Sequence, residues 1–193
     1  MRLAEVERGD DLRHRALIAM ISRVSGMRLP DAARVAFYHR DYAGPALGAW
    51  TQRVMRGPSG WTVSERELMA ASIATWNACP FCVGAHGAVA VLGLDRATVD
   101  AALADPSTAP IPGRLKAALG FLRTMTLDPD ALTASDADAA RRAGLSDDDL
   151  RDAAAVGAVF NIITRYANAL AFTIPTDAEF EKAAGMLLRR GYG

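Results

Sequence analysis

Apolar residues recur at intervals of three and four along most of this chain, which is the spacing that builds one face of a helix. The N-terminal third shows none of the apolar–polar alternation of a half-buried strand. Turn residues separate the periodic segments. The pattern predicts helices at about 11–24, 31–38, 45–55, 64–77, 80–93, 95–103, 114–127 and 135–143, a long apolar run over 153–176 after a capped start at 146, and a last helix ending near 190.

Two of the predicted helix starts carry the same capping arrangement. Ser64 precedes Glu67 by three residues and Ser146 precedes Asp149 by three, so each hydroxyl and carboxylate can satisfy the other's neighbouring amide. A shift of 82 residues also aligns the nearly uncharged segments that follow these starts. This internal similarity indicates either a duplicated helical hairpin or the likeness expected of any two buried, capped helices.

The longest run without a charged residue extends from Leu68 to Leu94 and exceeds the ~20 residues that a membrane-spanning helix requires. Asn77 and His86 lie inside this run, where lipid would penalise polar groups. Pro80 divides the run because it disfavours helical geometry in the residue before it. We therefore expect two buried helices of a soluble core and no membrane span.

Composition supports an all-α fold. Alanine, the best helix former, occupies 39 of the 193 positions, whereas aromatic residues make up 7%. Basic and acidic side chains balance at 22 each, which removes the positive field expected of a nucleic-acid-binding protein. The length fits a single domain over 1–193.

Cys79 and Cys82 are the two cysteines of the chain and lie in one CPFC motif, too close together to staple distant segments. The first eleven residues are charged and lack the apolar stretch of a secretory signal, so we predict a reducing, cytoplasmic location. In that location a CxxC motif serves either redox chemistry or metal binding.

The residues around the motif predict an activated thiol. With Cys79 at the cap and Pro80 at the first helical position, Cys82 falls in the first turn, where backbone amides and the helix dipole favour the thiolate and lower its pKa. His86 follows four residues later and can reach the Cys82 sulfur directly or through water. Glu67, from the preceding helix, can hold the imidazole in one tautomer or accept a proton through it.

These residues resemble the active-site signature of the alkylhydroperoxidase D-like group within the carboxymuconolactone decarboxylase superfamily. The likeness rests on Glu67, the CPFC motif at 79–82 and His86, and it covers about residues 35–190, which leaves 1–34 as an N-terminal helical extension. Further similar segments are Gly57-Pro58-Ser59-Gly60, Gly93 and FNIITRYANAL at 160–170.

The resemblance implies an all-helical fold, a homo-oligomer between dimer and hexamer, and thiol chemistry without a cofactor. By matched position it makes Cys82 the peroxidatic cysteine, Cys79 the resolving cysteine, and Glu67 with His86 the proton relay. The implied partners are a small hydroperoxide and a dithiol reductant such as a lipoyl- or thioredoxin-like protein. Phe81 departs from the pattern, which has a histidine at that position, and this puts efficient peroxide turnover in doubt.

Other interpretations remain open. The CxxC pair can act as a thiol–disulfide oxidoreductase without a peroxide step, and in many such enzymes the first cysteine attacks. True lactone decarboxylases of the superfamily lack the pair, which argues against that activity. A structural zinc site would need a fourth ligand beyond the two cysteines and His86, such as His14 or His39.

Four further side chains have structural interpretations. Glu67 has one as a capping carboxylate. His14 and His39 fit surface or interface positions. Arg165 interrupts an apolar run and needs either an interface or an acidic partner, for which Asp149 or Glu67 could serve in a structural ion pair.

Overall fold

The computed structural model describes residues 1–38 and 44–192, and within these ranges every regular element is helical. This confirms the all-α prediction. His39 lies outside the described residues. The helices are α1 (Ala4–Arg8), α2 (Leu12–Ser25), α3 (Asp31–Phe37), α4 (Gly44–Arg56), α5 (Val63–Trp76), α6 (Pro80–Ala90), α7 (Arg96–Ala104), α8 (Gly113–Leu127), α9 (Ala134–Arg142), α10 (Asp147–Leu170) and α11 (Asp177–Arg190), with one 3₁₀ turn at Pro129–Ala131.

The uncharged run folds as two consecutive helices, α5 and α6, which pack against each other at the centre of the molecule. α5 is buried on nearly every side, with Leu68, Met69 and Ile73 fully inaccessible. Helices α4, α7, α8 and α10 surround it, while α11 packs on α6. Among the described residues, no helix has the length and apolar character needed to cross a membrane.

The cap of α5 differs from the predicted one. Thr62 is the N-cap, its hydroxyl accepts from the amide of Glu65, and the Glu65 carboxylate accepts from the amide of Thr62 at 2.8 Å. The predicted pairing of Ser64 with Glu67 is therefore wrong, because the helix begins two residues earlier and the Thr62 register satisfies both amides. Glu67 is left free for another role. The second predicted box, Ser146 with Asp149, is confirmed.

The suggested hairpin duplication stops after its first helix. A turn at Ala78 separates α5 from α6. The 82-residue shift aligns Ala78 with Phe160, which lies inside the single helix α10, so the second copy has no turn there. Ile162 occupies the position aligned with Pro80, so nothing there disfavours helical geometry in the preceding residue. α10 ends at Leu170, and the apolar stretch beyond it runs as irregular chain into α11.

Gly84 sets the distance between α6 and α11. A Cβ at this position would lie 2.3 Å from the Phe180 ring, whereas a Cβ at Gly87, on the same helix, would meet nothing within 4 Å. Gly84→Ala is expected to lower the free energy of unfolding by about 1–3 kcal/mol through overpacking, although alanine is the better helix former. Gly87→Ala should be neutral or stabilising by up to about 1 kcal/mol. Urea denaturation of both variants tests this, and equal effects would contradict it.

Candidate active site

A neighbouring helix fixes the turn that presents the first cysteine. Cys79 is the N-cap of α6 and Pro80 its first residue, as predicted. Ala78, just before them, has a φ of 49°, in the left-handed region that residues other than glycine seldom occupy. The side-chain amide of Asn168 on α10 donates to the carbonyl oxygens of Asn77 and Ala78 at 2.9 and 3.3 Å. These bonds hold the strained turn in place.

The two cysteines form a closely spaced, reduced pair. Each is 1% exposed, and their side chains approach to 3.1 Å, longer than the ~2.05 Å of a disulfide bond. At this separation one sulfur donates a hydrogen bond to the other. The pair therefore titrates as a unit, because ionising one thiol changes the acidity of its neighbour.

The contact between the two sulfurs shifts the pKa values of the two thiols in opposite directions. A hydrogen bond from the Cys82 thiol, with a second from the Cys82 backbone N–H, outweighs burial and lowers the pKa of Cys79 to about 7. The hydrogen bond to Cys79, followed by burial, raises the pKa of Cys82. The expectation that the helix start lowers the pKa of Cys82 is therefore wrong. Cys79, the N-cap residue of α6, is the thiol whose pKa is lowered.

Glu67 is the centre of a second cluster, adjacent to the thiols. Its side chain on α5 is fully buried, and the two carboxylate oxygens serve different partners. Oε2 lies 2.7 Å from His86 Nδ1, while Oε1 lies 2.7 Å from Arg56 Nη1. The Tyr192 hydroxyl donates to Oε1 at 2.9 Å. Burial of a carboxylate is tolerated here because each oxygen is paired.

The same contacts keep Glu67 ionised. Burial alone would raise its pKa, but the hydrogen bond and charge of His86, together with Arg56, hold the pKa below its ordinary value. The pKa of Tyr192 is raised well above its ordinary value, because the phenol is removed from water and faces this carboxylate. Tyr192 thus stays protonated as a donor. Glu67 is suited to orienting the imidazole and stabilising its charge.

His86 links the two clusters through α6. It follows Cys82 by four residues, which places the two side chains on one face of the helix, about 6 Å apart along its axis. Its ring packs edge-on against Phe160 at 4.5 Å and stacks on Tyr192 at 6.2 Å between centroids. Within residues 1–38 and 44–192, no hydrogen bond joins His86 to either cysteine.

Sequence patterns did not reveal Arg56 and Tyr192. Arg56 is the last residue of α4, and its guanidinium lies 5.0 Å from the Tyr192 ring centroid. Tyr192 follows the end of α11, and its amide donates to Gln52 Oε1 at 2.7 Å. Both residues are far in sequence from the CPFC motif and carry no local signature. Only the packing of α4 and of the chain after α11 against α5 brings them to Glu67.

Phe81, the departure from the expected pattern, is a packing residue. It is 7% exposed, and its ring meets Phe172 edge-on at 5.1 Å and Phe180 at 6.1 Å between centroids. These contacts anchor the start of α6 to the chain after α10 and to α11. An apolar ring therefore fills the space where the family's pattern has a histidine.

Two expectations for other side chains are corrected. His14 is buried rather than on the surface, with Nδ1 2.7 Å from Asp10 Oδ1 and its ring near Phe37. Arg165 pairs with neither predicted carboxylate; its Nη1 donates to the carbonyl and side-chain oxygens of Asn161.

The two carboxylates proposed for Arg165 have other partners. Asp149 forms an ion pair with Arg114, and Glu67 forms one with Arg56.

Across the described ranges, no three or more His, Cys, Asp or Glu side chains are grouped as a metal site would require.

The chain has clear relatives among solved structures. It superposes on an uncharacterised peroxidase-related protein from Silicibacter sp. TM1040 with a TM-score of 0.77 and 25% identity, covering 93% of both chains. A peroxidase-related protein with an alkylhydroperoxidase AhpD core, from Ralstonia eutropha JMP134, gives 0.71 and 27% over 88% of this chain and 87% of its own. The debrominase Bmp8 shares the fold alone, at 0.70 and 17% over 92% and 94%.

A scan against protein-family profiles finds no match, and a search of curated protein sequences finds none either. The chain shares its helical fold with these peroxidase-related proteins, one of which has an alkylhydroperoxidase AhpD core. This similarity supports the predicted resemblance to the alkylhydroperoxidase D-like group of the carboxymuconolactone decarboxylase superfamily.

Proposed function

We propose that this protein is a thiol-dependent hydroperoxide reductase that uses Cys79 and Cys82 as its redox pair, with Glu67 and His86 managing protons. The observation that carries the proposal is the juxtaposition, at the start of one helix, of a buried thiol pair and a carboxylate-oriented imidazole. A nucleophile, a base beside it and a group that orients the proton donor are the parts that such a reaction needs.

The first step assigns the attack to Cys82, because this sulfur lies one helical turn before His86. Cys82 attacks one peroxide oxygen, its proton passes to the Cys79 thiolate across the 3.1 Å contact, and the O–O bond breaks. The departing alkoxide takes a proton from His86 and leaves as the alcohol. Glu67 stabilises the charged imidazole before this transfer.

The second step closes the disulfide. Cys79 attacks the sulfenic sulfur of Cys82, and the thiol proton leaves with the hydroxyl group as water. One hydroperoxide and two thiols are thereby converted to an alcohol, water and a disulfide. A dithiol donor then returns two electrons and two protons, which restores the Cys82 thiol and the proton on His86.

The proposed function also requires a reductant for the disulfide and a reducing location. A lipoyl- or thioredoxin-like protein is the proposed reductant, since a dithiol reduces a CxxC disulfide through a mixed disulfide. A homo-oligomer is also proposed, and the exposed apolar side chains of Leu12 and Val24 on α2, 82% and 85% exposed, are candidates for its interface. The cytoplasm is the proposed location, because the pair must be kept reduced.

Steady-state turnover tests the proposal. Purified protein is mixed with an organic hydroperoxide and dihydrolipoamide, and both loss of peroxide and formation of alcohol are followed. Catalytic consumption in equal amounts of peroxide and dithiol is expected. Absence of turnover with hydrogen peroxide and with organic hydroperoxides would contradict the assignment.

A titration of the thiols gives a prediction at this site. Because Cys82 donates to Cys79, thiolate absorbance at 240 nm should rise with a midpoint at about pH 7 in the wild-type protein. Cys82→Ala removes the donor and should move the midpoint upward, toward the ~8.5 of an ordinary thiol. Cys79→Ser should abolish the midpoint near 7. A wild-type midpoint near 8.5 would contradict the described pairing.

A second candidate function is thiol–disulfide exchange without a peroxide step, with Cys79 as the attacking sulfur. The lowered pKa of Cys79 favours it, because attack on a disulfide is fastest for a thiol whose pKa is near the ambient pH. Rapid mixing with peroxide alone separates the two functions. A peroxidase forms the Cys79–Cys82 disulfide under these conditions, whereas an exchange enzyme forms it only with a disulfide substrate.

A further inference from the structure

Helices α1 to α3 border an open surface cavity that the peroxide chemistry does not use. It measures about 460 Å³ and is formed by residues of α1 to α3 and their connections. Four guanidinium groups line it, joined by one carboxylate and a small apolar surface; the residues are Arg8, Arg15, Arg28, Arg34, Glu7 and Ile18. Arg8 and Arg15 are exposed at the rim, whereas Arg34 is buried.

Two of these arginines are held in position by backbone carbonyls. Arg34 is buried; its Nε donates to Leu29 O at 2.8 Å, and its Nη1 donates to Glu7 O. The Nε of Arg15 donates to Gly9 O at 3.0 Å. Bonds through Nε fix the plane of a guanidinium and leave terminal nitrogens for another acceptor. Among the described residues, neither Nη atom of Arg15 has a hydrogen-bond partner.

The acidic side chains around the cavity are unevenly shared among its arginines. Arg28 meets Asp31 at 2.6 Å and Glu7 at 3.7 Å, and Arg34 lies 3.8 Å from Asp31. Asp31 and Glu7 thus pair with Arg28 and Arg34, and the Glu179 carboxylate also interacts with the charge of Arg28. In the described part of the chain, no ion pair joins Arg8 or Arg15 to an acidic side chain.

We propose that this cavity binds a small organic phosphate monoester. A phosphate monoester carries close to two negative charges at neutral pH, which suits the two guanidinium groups that lack an acidic partner, Arg8 and Arg15. Its oxygens suit the planar forks of Arg8 and Arg15, since arginine binds phosphate through parallel N–H bonds. The cavity is larger than a phosphate group, and the side chain of Ile18 provides an apolar wall for the organic part. This site is independent of the thiol pair and of the proposed reductase activity.

Calorimetric titration of the full-length protein with phenyl phosphate, at constant ionic strength, tests the proposal. Saturable one-to-one binding is expected, with inorganic phosphate weaker because it lacks the ring. Benzoate should bind weakest because it carries a single charge. Arg15→Gln and Arg8→Gln are each expected to weaken binding of phenyl phosphate by about tenfold or more, the loss of a charge-assisted pair.

Arg13→Gln is the matched control, since Arg13 is exposed on the same helix and lies outside the cavity lining. It should change the affinity by less than about twofold. Thermal unfolding of each variant establishes that it is folded. Failure of phenyl phosphate to bind saturably, an equal loss in Arg13→Gln, or benzoate binding as tight as phenyl phosphate would overturn the proposal.

Discussion

Replacement of Cys82 by serine is expected to reduce hydroperoxide turnover by at least about a thousandfold, because it removes the sulfur that attacks the peroxide. The serine hydroxyl is close in size to the thiol, so the packing at the start of α6 should persist. Cys82 is 1% exposed and lies against Cys79, which makes an isosteric change the appropriate one. The measurement is the initial rate of peroxide consumption with dihydrolipoamide in excess.

Cys79→Ser is the matched control for this prediction. It should lose repeated turnover, because no partner remains to form the disulfide. It should still reduce one equivalent of peroxide per chain, but more slowly than the wild type, because the thiolate that accepts the Cys82 proton is also lost. The Cys82 sulfenic acid formed in that single turnover is trapped by dimedone and located by mass spectrometry. If Cys82→Ser instead accumulates a sulfenic acid at Cys79, then Cys79 is the attacking residue and the assignment of the two roles is wrong.

Glu67→Gln is expected to have the second-largest effect, on both stability and activity. The change leaves the buried guanidinium of Arg56 without a carboxylate, and breaking a buried pair in this way lowers the free energy of unfolding by about 3–5 kcal/mol. His86 loses the charge that orients it and stabilises its protonated form. Urea denaturation and the rate of peroxide consumption measure the two effects separately.

Glu65→Gln provides the control on the same helix. Glu65 is the partly exposed N3 residue of the capping box, and glutamine can keep that role, so little change in stability or rate is expected. The pH dependence adds a second test. The folded-state pKa of Glu67 is below its ordinary value, so its contribution is full above the unfolded pKa of about 4.5 and is lost as the pH falls through the folded value. A Glu67→Gln variant as stable as Glu65→Gln would contradict this account.

The parts of the site that depend on local chain geometry could be predicted from the sequence. A proline after a cysteine placed Cys79 at the cap, and the four-residue interval placed His86 on the same helix face as Cys82. The uncharged run indicated that these residues lie in the interior. Such features follow from the helix itself and do not require knowledge of its neighbours.

The choice of cap for α5 shows where local patterns fail. Thr62 with Glu65 and Ser64 with Glu67 are both plausible capping boxes, and they differ by only two residues in register. The buried face of α5 decides between them, because Glu67 points inward to Arg56 and His86. Local sequence offered no means of seeing those partners.

The acidity of the thiols also depends on contacts that the motif does not specify. The helix dipole alone favours a thiolate at the start of α6, but it does not choose between Cys79 and Cys82. Which cysteine becomes the thiolate depends on which sulfur donates the hydrogen bond across the 3.1 Å contact. It also depends on the turn at Ala78, which Asn168 holds in place. Arg56 and Tyr192 are likewise brought in by helices distant in sequence.

A single turnover of the reduced wild-type protein with one equivalent of an organic hydroperoxide, followed by acid quench and peptide mapping, tests directly whether the thiol pair reduces hydroperoxides. Loss of two thiols per chain, one equivalent of alcohol and a disulfide between Cys79 and Cys82 are expected. Recovery of both cysteines as free thiols with the hydroperoxide intact would contradict this expectation.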